Sequence, residues 1–154
     1  MKNEKRLNNI KSVSRFMQWI VMFAIINAVF AICFMLTLNL TGQITDMAEG
    51  VDKVWFVLVV GSIELAAMFF IYKILKNFRQ GLLFLSDNVR WLKIAVYLRF
   101  ADWVALTAHN IIAKAAGKTS QLDNVDIVLL LMMMLFAYIL EEAVELHEEG
   151  KLTI

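Results

Sequence analysis

Apolar residues along the chain gather into four blocks separated by polar stretches. The first runs from Phe16 to Leu40 and is broken by Gln18, Asn27, Thr37 and Asn39. The second runs from Val54 to Leu75, with Ser62 and Glu64 inside it and Lys73 near its end. The third, Trp91 to Ile112, is the most polar and carries Lys93, Arg99, Asp102, His109 and Asn110. The fourth starts at Val125 and has an unbroken apolar run from Ile127 to Leu140. A spanning helix needs about 20 mostly apolar residues to cross about 30 Å of hydrocarbon. Blocks one and two meet that requirement directly, and block four meets it with Glu141 and Glu142 at the membrane surface. Block three spans if its charges face protein rather than lipid. A soluble helical bundle would show a polar face along each helix, and blocks one, two and four show none. The pattern predicts an all-α membrane protein of one domain, residues 1–154. Its four transmembrane helices fall at about 16–40, 54–75, 91–112 and 125–145, packed as an up-down antiparallel bundle.

Composition agrees and narrows the classes. The chain has 154 residues, of which 60% are hydrophobic and 19% charged, against about 25% charged in an average soluble domain. Such a chain is neither disordered nor long enough for two ordinary domains. A lone cysteine, Cys33, excludes a disulfide scaffold. Fifteen Lys and Arg against 14 Asp and Glu exclude a generally basic nucleic-acid binder, and no direct nucleic-acid contact is expected. Proline is absent, so no span carries a proline kink.

The near-neutral balance hides an asymmetry. Lys2, Lys5, Arg6, Lys11 and Arg15 precede block one, and Lys73, Lys76, Arg79, Arg90 and Lys93 flank the connection between blocks two and three. The other two connections carry Lys53, Lys114 and Lys118. The positive-inside rule then puts both termini in the cytoplasm. Trp19 and Trp91 fall near the inner interface and Trp55 near the outer one. Block one is too long for a signal-peptide core and reads as a retained helix. Ahead of it, Leu7, Ile10, Val13 and Met17 recur at helical spacing, but the tail reads first as a solvated basic flank. Ser86 or Asp87 is the expected N-cap of the third helix, Asp123 or Asn124 that of the fourth. Gly117 to Ser120 reads as an outer turn, and Gly150 fits a C′ position.

The polar residues inside the blocks are the candidate chemistry. Asn27, Glu64 and Asp102 fall near mid-block, and Arg99 lies one turn from Asp102. Arg99, Asp102, Leu106 and His109 share a helix face. A charge at mid-bilayer costs a few kcal/mol or more, so that face is expected to turn inward. The expected network comprises Asn27, Glu64, Arg99, Asp102 and Glu141, with Arg99 paired to Asp102 and Glu64. It serves either as a neutralised group fixing helix register or as a proton- or ion-coupled site. Small residues, Ala24, Ala28 and Ala31 in block one and Ser62 and Ala66 in block two, favour close approach.

The fourth helix ends in Glu141, Glu142, Glu145, His147, Glu148 and Glu149. The spacing lacks the Glu-x-x-His of di-iron bundles, so it reads as a solvated acidic end rather than a metal site. Successive residues Met132, Met133 and Met134 point about 100° apart and cannot chelate copper together. Cys33 has no second thiol for redox chemistry, and His109 reads as a hydrogen-bonded structural residue. There is no phosphate loop, His-Glu-x-x-His or nucleophile elbow. No enzyme, cofactor or metal is expected.

Two stretches carry a family resemblance: Gly81-Leu82-Leu83-Phe84-Leu85-Ser86-Asp87-Asn88-Val89-Arg90-Trp91-Leu92-Lys93 and the C-terminal run Glu142 to Ile154. They resemble the bacterial four-span membrane family called domain of unknown function 2975. Leu83 stands where many members have proline, and Ala143 where many have glycine. The family has no established activity, and its genes often lie beside one for a small Cro/C1-type helix-turn-helix regulator. The resemblance thus implies a non-enzymatic sensor or accessory protein for such a regulator. The expected cytoplasmic partner surface comprises Arg79, Asn88, Arg90, Glu142, Glu145 and Glu149. The alternative is a small homo-oligomeric ion- or proton-coupled transporter or channel using Glu64, Arg99 and Asp102.

Overall fold

No glycine or proline falls between Lys2 and Leu40, so nothing in that stretch interrupts a helix. The computed structural model describes residues 2–40, 51–115 and 127–152. Helix α1 runs unbroken over Lys2–Leu40. The basic tail is therefore a helical continuation of the first apolar block rather than a separate flank. At 1.5 Å per residue its 39 residues extend about 58 Å. Helices α2 (Val51–Gln80), α3 (Ser86–Ala115) and α4 (Ile127–Leu152) follow. Gly150 lies within α4 and is not a C′ residue. The Gly117–Ser120 turn, the Asp123 or Asn124 cap and the side chain of Trp55 lie outside the described residues.

The connection between α2 and α3 is a Schellman turn. Gly81 has φ +83°, the left-handed conformation that glycine adopts without steric cost. Its N–H donates to Phe78 O and the N–H of Leu82 to Asn77 O, both at 3.0 Å. Two carbonyls left open at the helix end are thereby satisfied. Helix α3 begins at Ser86 itself, so Asp87 works from the first turn, where a negative charge complements the helix dipole.

Packing among the described residues runs in a row: α1 on α2, α2 on α3 and α3 on α4. Gly61 of α2 faces the side chain of Ile32 of α1. The apolar core lies around α3 and α4 and contains Ile74, Val89, Leu92, Val96, Leu130, Ala137, Leu140 and Val144.

Polarity is inverted relative to a soluble fold. The buried set includes Ser14, Gln18, Asn88 and Asp102, and the largest fully buried side chains are Asn88 and Asp102. Phe23 and Phe30 are 70% and 71% exposed, as are many aliphatic residues on α1 and α4. Apolar surface of that extent marks contact with lipid or a partner. Among the described residues, three helices are long and apolar enough to cross a membrane, over Arg6–Leu38, Leu58–Gln80 and Ile127–Gly150. Helix α3 is less apolar because Arg99, Asp102, His109 and Asn110 lie in it.

Candidate functional site

The register between α2 and α3 starts at the Gly81 turn. Asn88 is wholly buried beneath it. Its amide donates to Leu82 O at 2.8 Å and Leu83 O at 3.0 Å, and its Oδ1 accepts from Asn77 Nδ2 at 2.7 Å. One side chain thus ties the loop backbone to both helices. A turn or two further in, Lys73 Nζ lies 4.7 Å from the Phe69 ring centroid and 5.1 Å from that of Trp91. A cation over aromatic faces is stabilised by the ring quadrupoles.

Carried along both helices, this register brings Glu64 opposite Arg99. The two sites lie about 16–20 Å from the Asn77–Asn88 contact, roughly half the thickness of a bilayer's hydrocarbon core. Arg99 Nη1 is 3.0 Å from Glu64 Oε1 and 3.6 Å from Asp102 Oδ2. Asp102 is 2% exposed, and its Oδ1 has no hydrogen-bond partner; Thr107 Oγ1, also buried, has none either. One guanidinium between two carboxylates leaves one excess negative charge when both are ionised. A proton or a small cation would neutralise it.

Of the five residues expected to form this network, Glu64, Arg99 and Asp102 come together. Asn27 does not join them. Its Nδ2 donates to Phe23 O in its own helix at 2.8 Å, and α1 packs on α2 without reaching α3. Glu141 does not join them either. It pairs with Lys93, which precedes Arg99 by six residues, about 9 Å along α3.

A second assembly forms at the basic end of the helices. The ring of Phe84, in the loop, lies 5.0 Å from that of His147 on α4. Leu82, Phe84 and Leu146 are exposed beside it. Arg79, Arg90, Glu142, Glu145 and Glu149, expected on a partner surface, are exposed. Asn88 is not, because its amide is consumed by the loop carbonyls. Sequence reasoning missed the Asn88 tie, the Lys93–Glu141 pair and a hydrogen bond from Arg79 Nη1 to Gln18 Oε1 at 3.2 Å. Gln18 gave the one available signal, a polar residue interrupting an apolar run. Among the described residues, no three metal-ligating side chains cluster.

Compared with protein-family models, curated proteins and solved structures, the chain matches none. The candidate site therefore rests on its own geometry.

Proposed function

We propose that the protein is a four-span, up-down antiparallel bundle of a bacterial inner membrane with both termini in the cytoplasm. In this reading it is a non-enzymatic sensor or accessory protein for a small cytoplasmic helix-turn-helix regulator. The observation that carries the reading is the union of the inner loop with the end of α4 through Phe84 and His147. These are the two stretches on which the family resemblance rests, and they are far apart in the chain. Together they offer exposed Leu82, Phe84 and Leu146 beside the exposed carboxylates Glu142, Glu145 and Glu149. An apolar patch rimmed by acids suits a partner with an apolar contact and a basic rim. DNA-binding regulators are basic on the surface that meets phosphate, so occupying that surface with carboxylates is a direct way to hold one off DNA.

The test is capture of a small Cro/C1-type helix-turn-helix regulator from the same genome on membranes containing this protein. Combining Phe84→Ala with Glu142→Lys, Glu145→Lys and Glu149→Lys is expected to weaken capture at least about tenfold, equivalent to roughly 1.4 kcal/mol. Undiminished capture by that variant would overturn the placement. Raising the salt concentration is expected to weaken capture by the unaltered protein, since the rim contacts are screened.

A further inference from the structure

A cleft of about 280 Å³ opens between α1 and α2 at their basic end, lined by Arg15, Gln18, Trp19, Met22, Tyr72 and Arg79. Its two guanidinium groups are exposed and, among the described residues, neither forms an ion pair with a carboxylate. Arg79 is oriented by Gln18, which is 6% exposed and accepts from Arg79 Nη1. That bond uses one of five guanidinium N–H donors and leaves the rest free for a ligand. Trp19 lies one turn beyond Arg15 and Tyr72 two turns before Arg79, so the cleft grades from cationic to aromatic over about 10 Å. Beyond it, exposed Ile26 and Phe30 continue the apolar face of α1 on the same side.

A site with paired cations at one end, amphipathic rings in the middle and an apolar wall beyond matches a single ligand class. We infer that this cleft binds the phosphodiester headgroup of an anionic phospholipid, with its acyl chains laid along α1. Two parallel N–H donors of a guanidinium fit phosphate oxygens, and such charge-assisted bonds are the strong ones. A zwitterionic lipid brings its own ammonium group and so offsets less of the paired positive charge. Bound lipid would brace the long α1, which among the described residues packs on α2 alone. This site shares Arg79 with the expected partner surface but none of the residues proposed to contact the regulator, and does not depend on that reading.

Purified protein should be presented with phosphatidylglycerol or phosphatidylcholine in nanodiscs, with lipid retention read by native mass spectrometry and stability by thermal unfolding. The unaltered protein is expected to retain phosphatidylglycerol preferentially and to unfold at a higher temperature in its presence. Arg15→Gln combined with Arg79→Gln should reduce that preference about tenfold, the scale of one lost charge-assisted contact. Lys76→Gln combined with Arg90→Gln, an equal loss of charge at exposed positions outside the cleft, should leave it unchanged. If the double variant fails to fold, Arg15→Gln alone decides, since that side chain is exposed and forms no ion pair among the described residues. A preference that survives these changes, or equal retention of both lipids, would overturn the assignment. Stabilisation by inorganic phosphate in phosphatidylcholine, to the same extent as by phosphatidylglycerol, would show a free-phosphate site instead and also overturn it.

Discussion

Replacing Arg99 with leucine is expected to destabilise the protein by about 3–5 kcal/mol, the usual cost of removing one partner from a buried ionic group. Arg99 is the only cation near Glu64 and Asp102 among the ion pairs of the described residues. Without it, two like charges share a site midway along apolar helices, with no other cation in ion-pair reach among the described residues. Asp102 bears most of the penalty, being 2% exposed with an oxygen already lacking a partner. Glu64 is more open and can relax outward. Arg99→Lys keeps the charge but loses the guanidinium Nη1 that meets both carboxylates, and should fall between the unaltered protein and Arg99→Leu. Adding Glu64→Gln and Asp102→Asn to Arg99→Leu should recover a large part of the loss, because the uncompensated charges disappear. Equilibrium unfolding in bicelles, with the three variants side by side, measures this. A loss under about 1 kcal/mol for Arg99→Leu would place the group in the range of exposed ion pairs and refute its buried role.

Asn88→Ala is expected to cost about 3 kcal/mol, since each buried polar group left without its partner costs roughly 1–3 kcal/mol. The substitution strands the carbonyls of Leu82 and Leu83 and the amide of Asn77, and leaves a void in a wholly buried position. Asn88→Asp is no rescue. A carboxylate cannot donate to the two carbonyls and would face them as a third acceptor. Because the register of α2 against α3 is fixed at this end, the effect should reach beyond the loop. Amide exchange in residues 81–85 should quicken most, followed by the early turns of α3, with α1 least affected. Uniform quickening across all four helices would show that Asn88 contributes only to general stability.

The helices and the core of the candidate site were readable in the sequence for simple reasons. Four largely apolar blocks, three of them giving helices long and apolar enough to span among the described residues, leave little choice of secondary structure in a chain without proline. Arg99 and Asp102, three residues apart, must share a helix face, and an inward face is the cheaper one for charges in lipid. Glu64 joined them because the connection between α2 and α3 is short, which makes equal distances from the turn equal depths. Depth alone does not fix lateral neighbours. Asn27 stands at a suitable depth in its block, yet among the described residues α1 packs on α2 alone, while Glu141 lies about 9 Å nearer the basic end, where it meets Lys93. The role of Asn88 was hidden for another reason. Its partners are backbone carbonyls aimed by the left-handed Gly81, and sequence patterns do not reveal where a loop carbonyl points. The tail was misjudged because charge was weighed above continuity. Lysines and arginines are good helix formers, and nothing between Lys2 and the apolar block stops the helix.

Side-specific labelling tests the four-span account most directly. With Cys33→Ser as background, single cysteines are introduced as Asn8→Cys, Leu40→Cys, Ala115→Cys and Glu148→Cys, all at exposed helical positions. A membrane-impermeant maleimide is then applied to cells whose inner membrane is intact, and again after that membrane is permeabilised. The account predicts labelling at Leu40→Cys and Ala115→Cys in the intact state, and at Asn8→Cys and Glu148→Cys only after permeabilisation. Labelling of Asn8→Cys and Glu148→Cys from opposite sides would mean an odd number of crossings, and would contradict it.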